Sequence, residues 1–278
     1  MSQSKAVKHT NAYHRFIDEA GDLTFFGKGG ISILGHEGVS KAFMLGMLKY
    51  NHPLNEIRDT IIQFTDSVSK DPFFNQIPSV KKRLDRGHFY LHANEDPPEL
   101  RYKFFELMRT DISFHLQVVV GRKDVTRFVN KHNKQEREFY GDLLSHMLHD
   151  KANYKKLVLN IASLGSTTRV QDLESALLKA QAMYLKNEPD GNYQADVKFN
   201  VQAYIQEPLL SVVDYGLWAV QRVFEKGETR FYDSIRPKVR SVVDVYDPAK
   251  KGRPTHYNYR NNPLTASNHL VLKRPTLL

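Results

Sequence analysis

Apolar and polar residues follow two different periods along this chain, and the order of those periods predicts the architecture. A period near two residues indicates strands, whereas apolar positions three and four apart indicate amphipathic helices. The glycine turn at residues 27–30 fits between two extended segments, so the chain is expected to start with hairpins. Extended segments are predicted at residues 13–18, 23–26, 31–34, 42–48, 89–92, 112–120, 157–162 and 197–205, and helices at residues 54–68, 99–110, 137–148, 168–184 and 207–227.

This order, strands first and then helices that alternate with strands, predicts an α/β fold. Helices that alternate with strands bury their apolar stripes against a sheet, usually on both of its faces. We therefore expect a mixed sheet with an antiparallel hairpin start and helices on both faces, in one domain over residues 13–245. Residues 1–12 form a polar N-terminal tail in this interpretation. Residues 246–278 show little periodicity and several prolines, and form an irregular basic C-terminal extension.

Composition narrows the classes of protein that the chain can represent. The sequence contains no cysteine, which excludes disulfides, thiolate zinc sites and a cysteine nucleophile. Any metal must therefore be held by oxygen or imidazole groups. No segment approaches the roughly 20 apolar residues of a membrane span. Residues 1–11 are polar and lack the apolar run of a secretion signal, so a soluble cytoplasmic protein is expected.

The formal net charge of +9 is concentrated near the end of the chain. From Arg222 to Leu278, twelve Lys and Arg residues face five Asp and Glu residues. Mixed cationic and aromatic side chains suit phosphate contacts and base stacking, so nucleic acid is the expected partner. A solvated basic tail that contacts nothing is the alternative. The residues predicted to bind nucleic acid are Lys250, Lys251, Arg253, Tyr257, Tyr259 and Arg260.

Three carboxylates fall within five residues at the end of the first predicted strand. Asp18, Glu19 and Asp22 follow an apolar stretch, and ionised groups at the end of a core strand cost several kcal/mol unless a cation or hydrogen bonds offset the loss of hydration. Mg²⁺ prefers such oxygen ligands. Because alternate strand residues point to opposite faces, Glu19 is better placed to cap a backbone group or form a salt bridge than to share a site with Asp18. The alternative is a polar hairpin turn at Gly21 and Asp22.

A further carboxylate, Asp214, falls in the middle of the apolar helix predicted at residues 207–227. Glu207 and Ser211 lie seven and three residues before it, so all three project from roughly the same helix face. Asp214 either caps a backbone group or pairs with an arginine in the core, or it binds a metal. The N-terminal carboxylate cluster favours the metal, which would join two segments nearly 200 positions apart.

Three of these patterns resemble the bacterial family catalogued as domain of unknown function 3800. They are residues 16–22 (FIDEAGD), residues 89–93 (FYLHA), and residues 210–214 (LSVVD) followed by Ala219. The resemblance spans about residues 13–245. It implies a branch of the ribonuclease H-like superfamily, whose nucleases and integrases hold one or two Mg²⁺ or Mn²⁺ ions between a first-strand aspartate and other acidic residues.

The resemblance also implies a set of metal ligands. Asp18 matches the ligand on the first strand and Asp214 matches the ligand on the last core helix. Glu19 and Asp22 match the other acidic positions of the opening motif. Glu207 or Asp22 would complete the coordination through water. The implied cofactor is Mg²⁺ or Mn²⁺.

His92 matches the histidine of the middle motif and is a candidate proton shuttle, since an imidazole pKa near about 6.5 suits that task. A lone histidine is also commonly a hydrogen-bonded structural residue. Many family members carry a glutamate just before this histidine, where the present chain has Tyr90 and Leu91. An acidic residue is also frequent on the strand at residues 157–163, where this chain has none.

Two functions are consistent with these features. The first is a divalent-metal-dependent nuclease that hydrolyses phosphodiester bonds in RNA or DNA, with Asp18, Asp214 and His92 as catalytic residues. The second is a catalytically degenerate subunit that binds nucleic acid or a partner protein in a bacterial defence or mobile-element system. The missing acidic positions and the basic C-terminal segment motivate the second hypothesis.

Overall fold

The structure is a computed structural model that describes residues 12–152, 154–163, 170–250 and 253–271. Within these residues, seven strands form one mixed sheet in the order β5-β4-β1-β2-β3-β6-β7. The strands are β1 (Tyr13–Ala20), β2 (Ala42–Tyr50), β3 (Phe114–Arg122), β4 (Leu157–Ala162), β5 (Val197–Gln202), β6 (Val239–Asp244) and β7 (Thr255–Tyr257).

The first three strands form an antiparallel meander, which confirms the hairpin start. On its other side β1 pairs in parallel with β4, and β4 pairs in parallel with β5. At the far edge β6 adds in parallel to β3, and β7 closes the sheet in the antiparallel direction. The strand β1 therefore lies inside the sheet, and its residues Phe16 and Ile17 are both buried, on opposite faces.

Helices cover both faces of the sheet, as predicted for an α/β fold. The helices are α1 (Leu54–Lys70), α2 (Pro78–Leu84), α3 (Pro98–Thr110), α4 (Val125–His132), α5 (Glu136–Leu148), α6 (Val170–Asn187), α7 (Leu210–Lys226) and α8 (Arg230–Ile235). One face of the sheet, which carries Phe16 and Leu48, packs against α1, α3, α7 and α8. The opposite face, which carries Ile17 and Leu45, packs against α4, α5 and α6. None of the helices among the described residues is long and apolar enough to cross a membrane.

Some short elements differ from the sequence prediction. The two strands predicted at residues 23–34 are reduced to an isolated bridge between Phe26 and Ser32 around a 3-10 turn. The helix α4 was not predicted because it spans eight residues; its N-terminus is capped by Asp124, whose side chain accepts a hydrogen bond from the Arg127 N–H group. The short helix α2 and the strand β6 were also missed, since neither is long enough to show a clear period.

The C-terminal segment is more ordered than the predicted irregular extension at residues 246–278. The strand β7 pairs with β6, and Leu264 and Leu270 are buried in the same core as α7. Its apolar residues are too widely spaced to produce a periodic pattern, so sequence alone does not reveal this packing. The predicted N-terminal tail, apart from Ala12, and residues 272–278 lie outside the described residues.

Candidate metal centre

Asp18 lies near the carboxyl end of β1 and is buried, with 2% of its surface exposed. Strand alternation places it on the face that carries Phe16, which is the face covered by α7. Its Oδ1 atom accepts a hydrogen bond from the Glu19 N–H group at 2.8 Å, and its Oδ2 atom accepts one from the Tyr204 hydroxyl at 2.6 Å. These two donors fix the orientation of the carboxylate.

Asp214 projects from the middle of α7 and is 8% exposed. Its Oδ2 atom accepts a hydrogen bond from the Ala93 N–H group at 2.7 Å. The helix lies close to β2 at Gly46, the residue opposite Asp18 in the sheet, because a Cβ atom at Gly46 would lie only 3.3 Å from side-chain atoms of Val213 and Leu217. The absence of a side chain at Gly46 thus lets the helix that carries Asp214 approach the strand pair that carries Asp18.

The structure brings the two predicted carboxylates into one electrostatic unit. Burial, and then the negative charge of Asp214, raise the pKa of Asp18. Burial also raises the pKa of Asp214, with the Ala93 N–H group opposing it and the charges of Asp96 and Glu95 adding to it. Two buried carboxylates without a cation favour sharing protons, whereas a bound cation would favour the ionised pair.

The carboxylate of Asp18 opens into a cavity of about 610 Å³ at the carboxyl ends of β1 and β4. His92 lies in the wall, with its ring centroid 5.8 Å from that of Tyr204 and the two rings nearly perpendicular. Its Nδ1 atom is buried and has no hydrogen-bond partner among the described residues. His92 is therefore placed beside Asp18, as the sequence motif predicts. The other lining residues are His88, Tyr90, Glu95, Ala162, Ser163, Ala203, Tyr204 and Ile205.

The strand predicted at residues 89–92 is absent, because the backbone groups of this segment bind side chains instead of a neighbouring strand. Arg83 donates to the Tyr90 carbonyl oxygen at 2.8 Å, and the Ser211 hydroxyl donates to the Leu91 carbonyl oxygen at 3.2 Å. The Ala93 N–H group donates to Asp214. This segment therefore forms no strand and instead holds one carboxylate of the site.

A buried ion pair between Arg83 and Asp96 supports residues 89–93. Asp96 accepts a hydrogen bond from the His92 N–H group at 2.9 Å, and it also contacts the Arg83 guanidinium and the Tyr215 hydroxyl. Arg83 and Asp96 are both nearly inaccessible, so removing either partner would leave a buried charge unpaired. Together they fix the turn that presents His92 to the cavity and the next N–H group to Asp214.

Glu95 is a candidate site residue that sequence reasoning missed. It is exposed, lines the same cavity as Asp18, and contributes to the raised pKa of Asp214. The Glu95 N–H group bonds to the His92 carbonyl oxygen at 3.1 Å, so one turn of chain carries both side chains to the cavity. The sequence feature that could have identified Glu95 is its position three residues after His92 in a polar segment.

The structure separates Glu19 from the predicted ligand set. Strand alternation directs its side chain to the opposite face of the sheet, where it forms a hydrogen bond with Tyr140 of α5. Burial, followed by the charge of Asp18, raises the pKa of Glu19 to about 8. The expectation that Glu19 binds elsewhere than Asp18 agrees with this geometry, whereas its assignment as a metal ligand does not.

The prediction that Asp22 is a metal ligand is also wrong, because its carboxylate already binds groups of the loop after β1 and Lys123. It accepts hydrogen bonds from the Ser40 N–H group at 2.7 Å and the Thr24 N–H group at 2.9 Å. It also forms an ion pair with the Lys123 ammonium at 2.7 Å. Asp22 therefore neutralises a lysine and caps backbone groups instead of facing the cavity.

The prediction that Glu207 is a metal ligand is also wrong, because its carboxylate is already paired. Its two carboxylate oxygens bind the Arg58 guanidinium at 3.1 and 2.8 Å, and one of them also accepts from the Leu209 N–H group at 3.3 Å. The helix α7 begins at Leu210, so Glu207 precedes the helix and does not share a helical face with Asp214. An arginine 149 positions away in sequence satisfies this carboxylate.

Only some of the predicted nucleic-acid-binding residues are exposed among the described residues. Tyr257 is 8% exposed and packs near Phe224, so its ring is not available for stacking on a base. The Tyr259 hydroxyl accepts a hydrogen bond from Arg260 Nε at 2.6 Å. Lys250, Arg253 and Arg260 are exposed, whereas Lys251 lies outside the described residues. Four strand spacings separate β7 from β1, which is roughly 19 Å.

The site offers two carboxylates, Asp18 and Asp214, as candidate ligands of a cation. Within residues 12–152, 154–163, 170–250 and 253–271, no group of three or more His, Asp or Glu side chains is arranged to hold a metal ion. Mg²⁺ commonly binds one or two carboxylates together with water and substrate phosphates. Asp18 and Asp214 supply that number of carboxylates, and each oxygen that accepts a hydrogen bond retains a further lone pair.

No family model matches this sequence, and a comparison with curated proteins finds no match. The function is therefore argued from the site itself, since a fold alone hosts many activities.

Proposed function

We propose that this protein is a divalent-metal-dependent nuclease of the ribonuclease H-like class, which hydrolyses phosphodiester bonds in RNA or DNA. The observation that carries the proposal is the pair formed by Asp18 and Asp214, two buried carboxylates with raised pKa values on a strand and a helix that pack together. Asp18 also lines a cavity. Such a pair is unfavourable when both groups are ionised, and a divalent cation removes that cost.

The strand order supports the class. The first three strands form an antiparallel meander, and β4 and β5 add in parallel on the other side of β1. The first-strand aspartate, Asp18, therefore lies inside the sheet, where α7 delivers the aspartate of the last long helix, Asp214, to the same face. Both positions are those that the sequence resemblance implies for the metal ligands.

The chain's own residues would orient and activate the reactants. A bound Mg²⁺ or Mn²⁺ ion supplies an activated water and neutralises charge on the phosphate. Asp18 and Asp214 are the residues that would hold it. Tyr204 and the Ala93 N–H group restrain the two carboxylates, so that less reorganisation is needed when substrate binds. His92 lines the same cavity as Asp18 and is the candidate general base there.

The aromatic wall of the cavity favours unpaired nucleotides as the substrate. The rings of Tyr90 and Tyr204 are almost parallel, with 6° between their planes and centroids 5.9 Å apart. The ring of His88 also lies nearly parallel to that of Tyr90, with 20° between the planes and centroids 6.2 Å apart. Aromatic faces bind exposed bases of any identity, so these rings suit a single strand or a splayed base near Asp18.

Cleavage assays test this proposal directly. Single-stranded and duplex RNA and DNA should be incubated with Mg²⁺ or Mn²⁺ and with wild type, Asp18→Asn or Asp214→Asn. We expect each substitution to reduce cleavage by at least ~100-fold, since each removes a ligand of the activating cation. Asp22→Asn is the matched control, because its carboxylate pairs with Lys123 outside the cavity. Equal cleavage by wild type and Asp18→Asn would reject the assignment.

One observation favours the second candidate function, a subunit that binds nucleic acid without cutting it. Ala162 lies at the end of β4 and lines the cavity beside Asp18, on a strand where the resembled family often carries an acidic residue. A site with fewer acidic ligands could retain binding and lose turnover. Salt-sensitive binding of an oligonucleotide, with no product in the presence of either metal, is the result that would select this function.

A further inference from the structure

A second cavity, of about 300 Å³, lies on the opposite face of the sheet from Asp18. The strands β1, β2 and β3 contribute Arg15, Lys49 and His115, and β6 contributes Arg240. Lys151, from the turn after α5, completes the cationic lining. Arg15, Lys49 and His115 are paired with neighbouring strands, so the sheet fixes their backbone positions, and Arg240 lies at the register shift between β3 and β6.

The positive charge of this cavity is only partly neutralised. Lys151 Nζ pairs with the Asp150 carboxylate at 2.7 Å. Arg15 donates to the His14 carbonyl oxygen and to the Tyr154 hydroxyl, which are both uncharged. Among the residues that the structure describes, Lys49 and Arg240 form no ion pair, and no carboxylate lines the cavity. Side chains of like charge that converge without counter-charges favour an anionic ligand.

The uncompensated positive charge in this cavity affects the pKa of His115. Burial lowers its pKa first, and the neighbouring charges of Arg240 and Lys49 lower it further. The imidazole therefore lies close enough to both cations to be affected by them. This effect agrees with the lining geometry, in which the three side chains face one space.

Two of the cations are held in fixed orientations before any ligand binds. The Arg15 guanidinium lies over the Tyr154 ring at 5.2 Å, and Lys151 Nζ donates to the Gln117 side-chain oxygen at 3.2 Å. Arg15 and Lys151 are 7% and 5% exposed, so their charges form the floor of the cavity, whereas Lys49 and Arg240 are exposed. Buried, restrained cations beside exposed ones are suited to consecutive phosphate groups.

We propose that this cavity binds the di- or triphosphate group of a small phosphorylated ligand, at a site separate from the carboxylate pair. The volume of about 300 Å³ is at the lower end of the range for small-molecule pockets, and it is sufficient for a di- or triphosphate group. The inference does not depend on the nuclease proposal, since it uses a different face of the sheet and different residues.

Calorimetric titration with inorganic pyrophosphate, and with a nucleoside triphosphate in a second arm, tests the inference. We expect one-site binding to wild type and at least ~10-fold weaker binding to Lys49→Gln/Arg240→Gln, which removes two exposed charges without touching the core. The matched control is Arg109→Gln/Lys198→Gln, which has the same net charge and changes exposed residues elsewhere. The control should bind as wild type does.

Three results would overturn the inference. These are no binding of either probe to wild type, equal weakening in the control variant, and displacement of pyrophosphate by a single-stranded oligonucleotide without terminal phosphates. The last result would assign the cavity to a nucleic-acid backbone instead of a small ligand. Thermal unfolding of both variants, expected to match that of wild type, shows that a loss of binding is not a loss of fold.

A second readout locates the ligand. A bound anion should raise the pKa of His115, because it offsets the charges of Arg15, Lys49, Lys151 and Arg240 that face the imidazole and adds to the charge of Asp150. Titration of the His115 ring signals by NMR, with and without saturating pyrophosphate, measures this shift. An unchanged His115 titration at saturation would place the ligand elsewhere and contradict the inference.

Discussion

At the residue scale, the chemistry of the candidate metal centre follows from the burial of Asp18 and Asp214 without an adjacent cationic side chain. Each carboxylate accepts hydrogen bonds from neutral donors, and neither forms an ion pair among the described residues. Other buried carboxylates, such as Asp96 and Glu207, bind arginines instead. This difference distinguishes the two candidate ligands from carboxylates that stabilise the fold.

The first prediction concerns stability and pH in a chelator. Asp18 has a pKa of about 8 in the folded protein, against an ordinary value of 3.8. Between these values the folded state binds more protons than the unfolded state, so the free energy of unfolding falls as pH rises from about 4 to 8 and then levels off. Asp18→Asn removes the contribution of Asp18 to this dependence, whereas the raised pKa values of Glu19 and Asp214 still contribute. The variant should be more stable than wild type at pH 8 by ~1 kcal/mol or more.

Urea unfolding of both proteins at pH 5 and pH 8 measures this effect. Asparagine preserves the shape of the side chain and can still accept from the Glu19 N–H group, whereas its amide NH2 would donate to the Tyr204 hydroxyl oxygen instead of accepting from it. Identical pH dependence in the two proteins would show that Asp18 is not destabilised by its charge in the folded state.

The second prediction concerns the response to a divalent cation. Mn²⁺ should raise the melting temperature of wild type and leave that of Asp18→Asn and Asp214→Asn nearly unchanged, since a ligand stabilises only the state that binds it. Asp22→Asn should keep the response, although its own stability is lower by about 1–2 kcal/mol because Lys123 loses its anionic partner. A lost response in Asp22→Asn alone would move the metal to the loop after β1. Differential scanning fluorimetry provides the measurement.

Sequence reasoning located the residues of the site unevenly, for a physical reason. Asp18, Asp214 and His92, which the structure brings together, each lie in a local sequence pattern, and strand alternation already separated Glu19 from Asp18. The ion pair that removes Asp22 from the ligand set joins residues 101 positions apart. No local pattern contains such a partner, so only the folded structure reveals it.

At the element scale, the site depends on how closely α7 approaches the sheet. The helix packs over β1 and β2, and Gly46 on β2 provides the space for Val213 and Leu217. A helix displaced from this groove would carry Asp214 away from Asp18. The packing of one helix on two strands thus controls the separation of the two carboxylates.

The third prediction follows from this contact. Gly46→Val should destabilise the protein by about 1–3 kcal/mol, because the added methyl groups overlap the space of Val213 and Leu217. It should also reduce the increase in melting temperature caused by Mn²⁺, although it changes no ligand. Chemical denaturation and the Mn²⁺ titration measure the two effects. A full cation response in a destabilised Gly46→Val protein would show that helix position does not control the site.

Long or strongly apolar elements were predicted well, whereas short ones were not. The helix at residues 207–227 was recognised because a sustained apolar period crosses several turns, and its end at Gly227 has the positive φ of 68° that favours glycine. The strand β6 and the helix α4 are short, and their formation depends on pairing or packing with distant segments. Such partners are not encoded in a local period.

At the scale of the whole molecule, the C-terminal segment closes one edge of the sheet. The strand β7 covers β6, and Leu264 and Leu270 enter the core under α7. The basic residues near this edge are therefore presented by folded structure, and they lie roughly 19 Å from the strand that carries Asp18. A nucleic acid that reached both regions would cross the sheet from its middle to its edge.

The fourth prediction tests that structural role. Removal of residues 253–278 should lower the free energy of unfolding by ~3 kcal/mol or more, since two buried leucines and one strand are lost. Replacing Arg253 and Arg260 by glutamine leaves the fold intact and is the control that separates charge from packing. Urea unfolding distinguishes the two proteins. Unchanged stability after truncation would show that residues 253–278 do not stabilise the fold.

A crystal structure of the wild-type protein with Mn²⁺, with the metal located by its anomalous scattering, tests the metal site directly. We expect a peak between Asp18 and Asp214, with an oxygen of each carboxylate within about 2.0–2.5 Å of the ion. A peak that touches neither carboxylate, or no peak in crystals that contain excess Mn²⁺, would contradict this expectation.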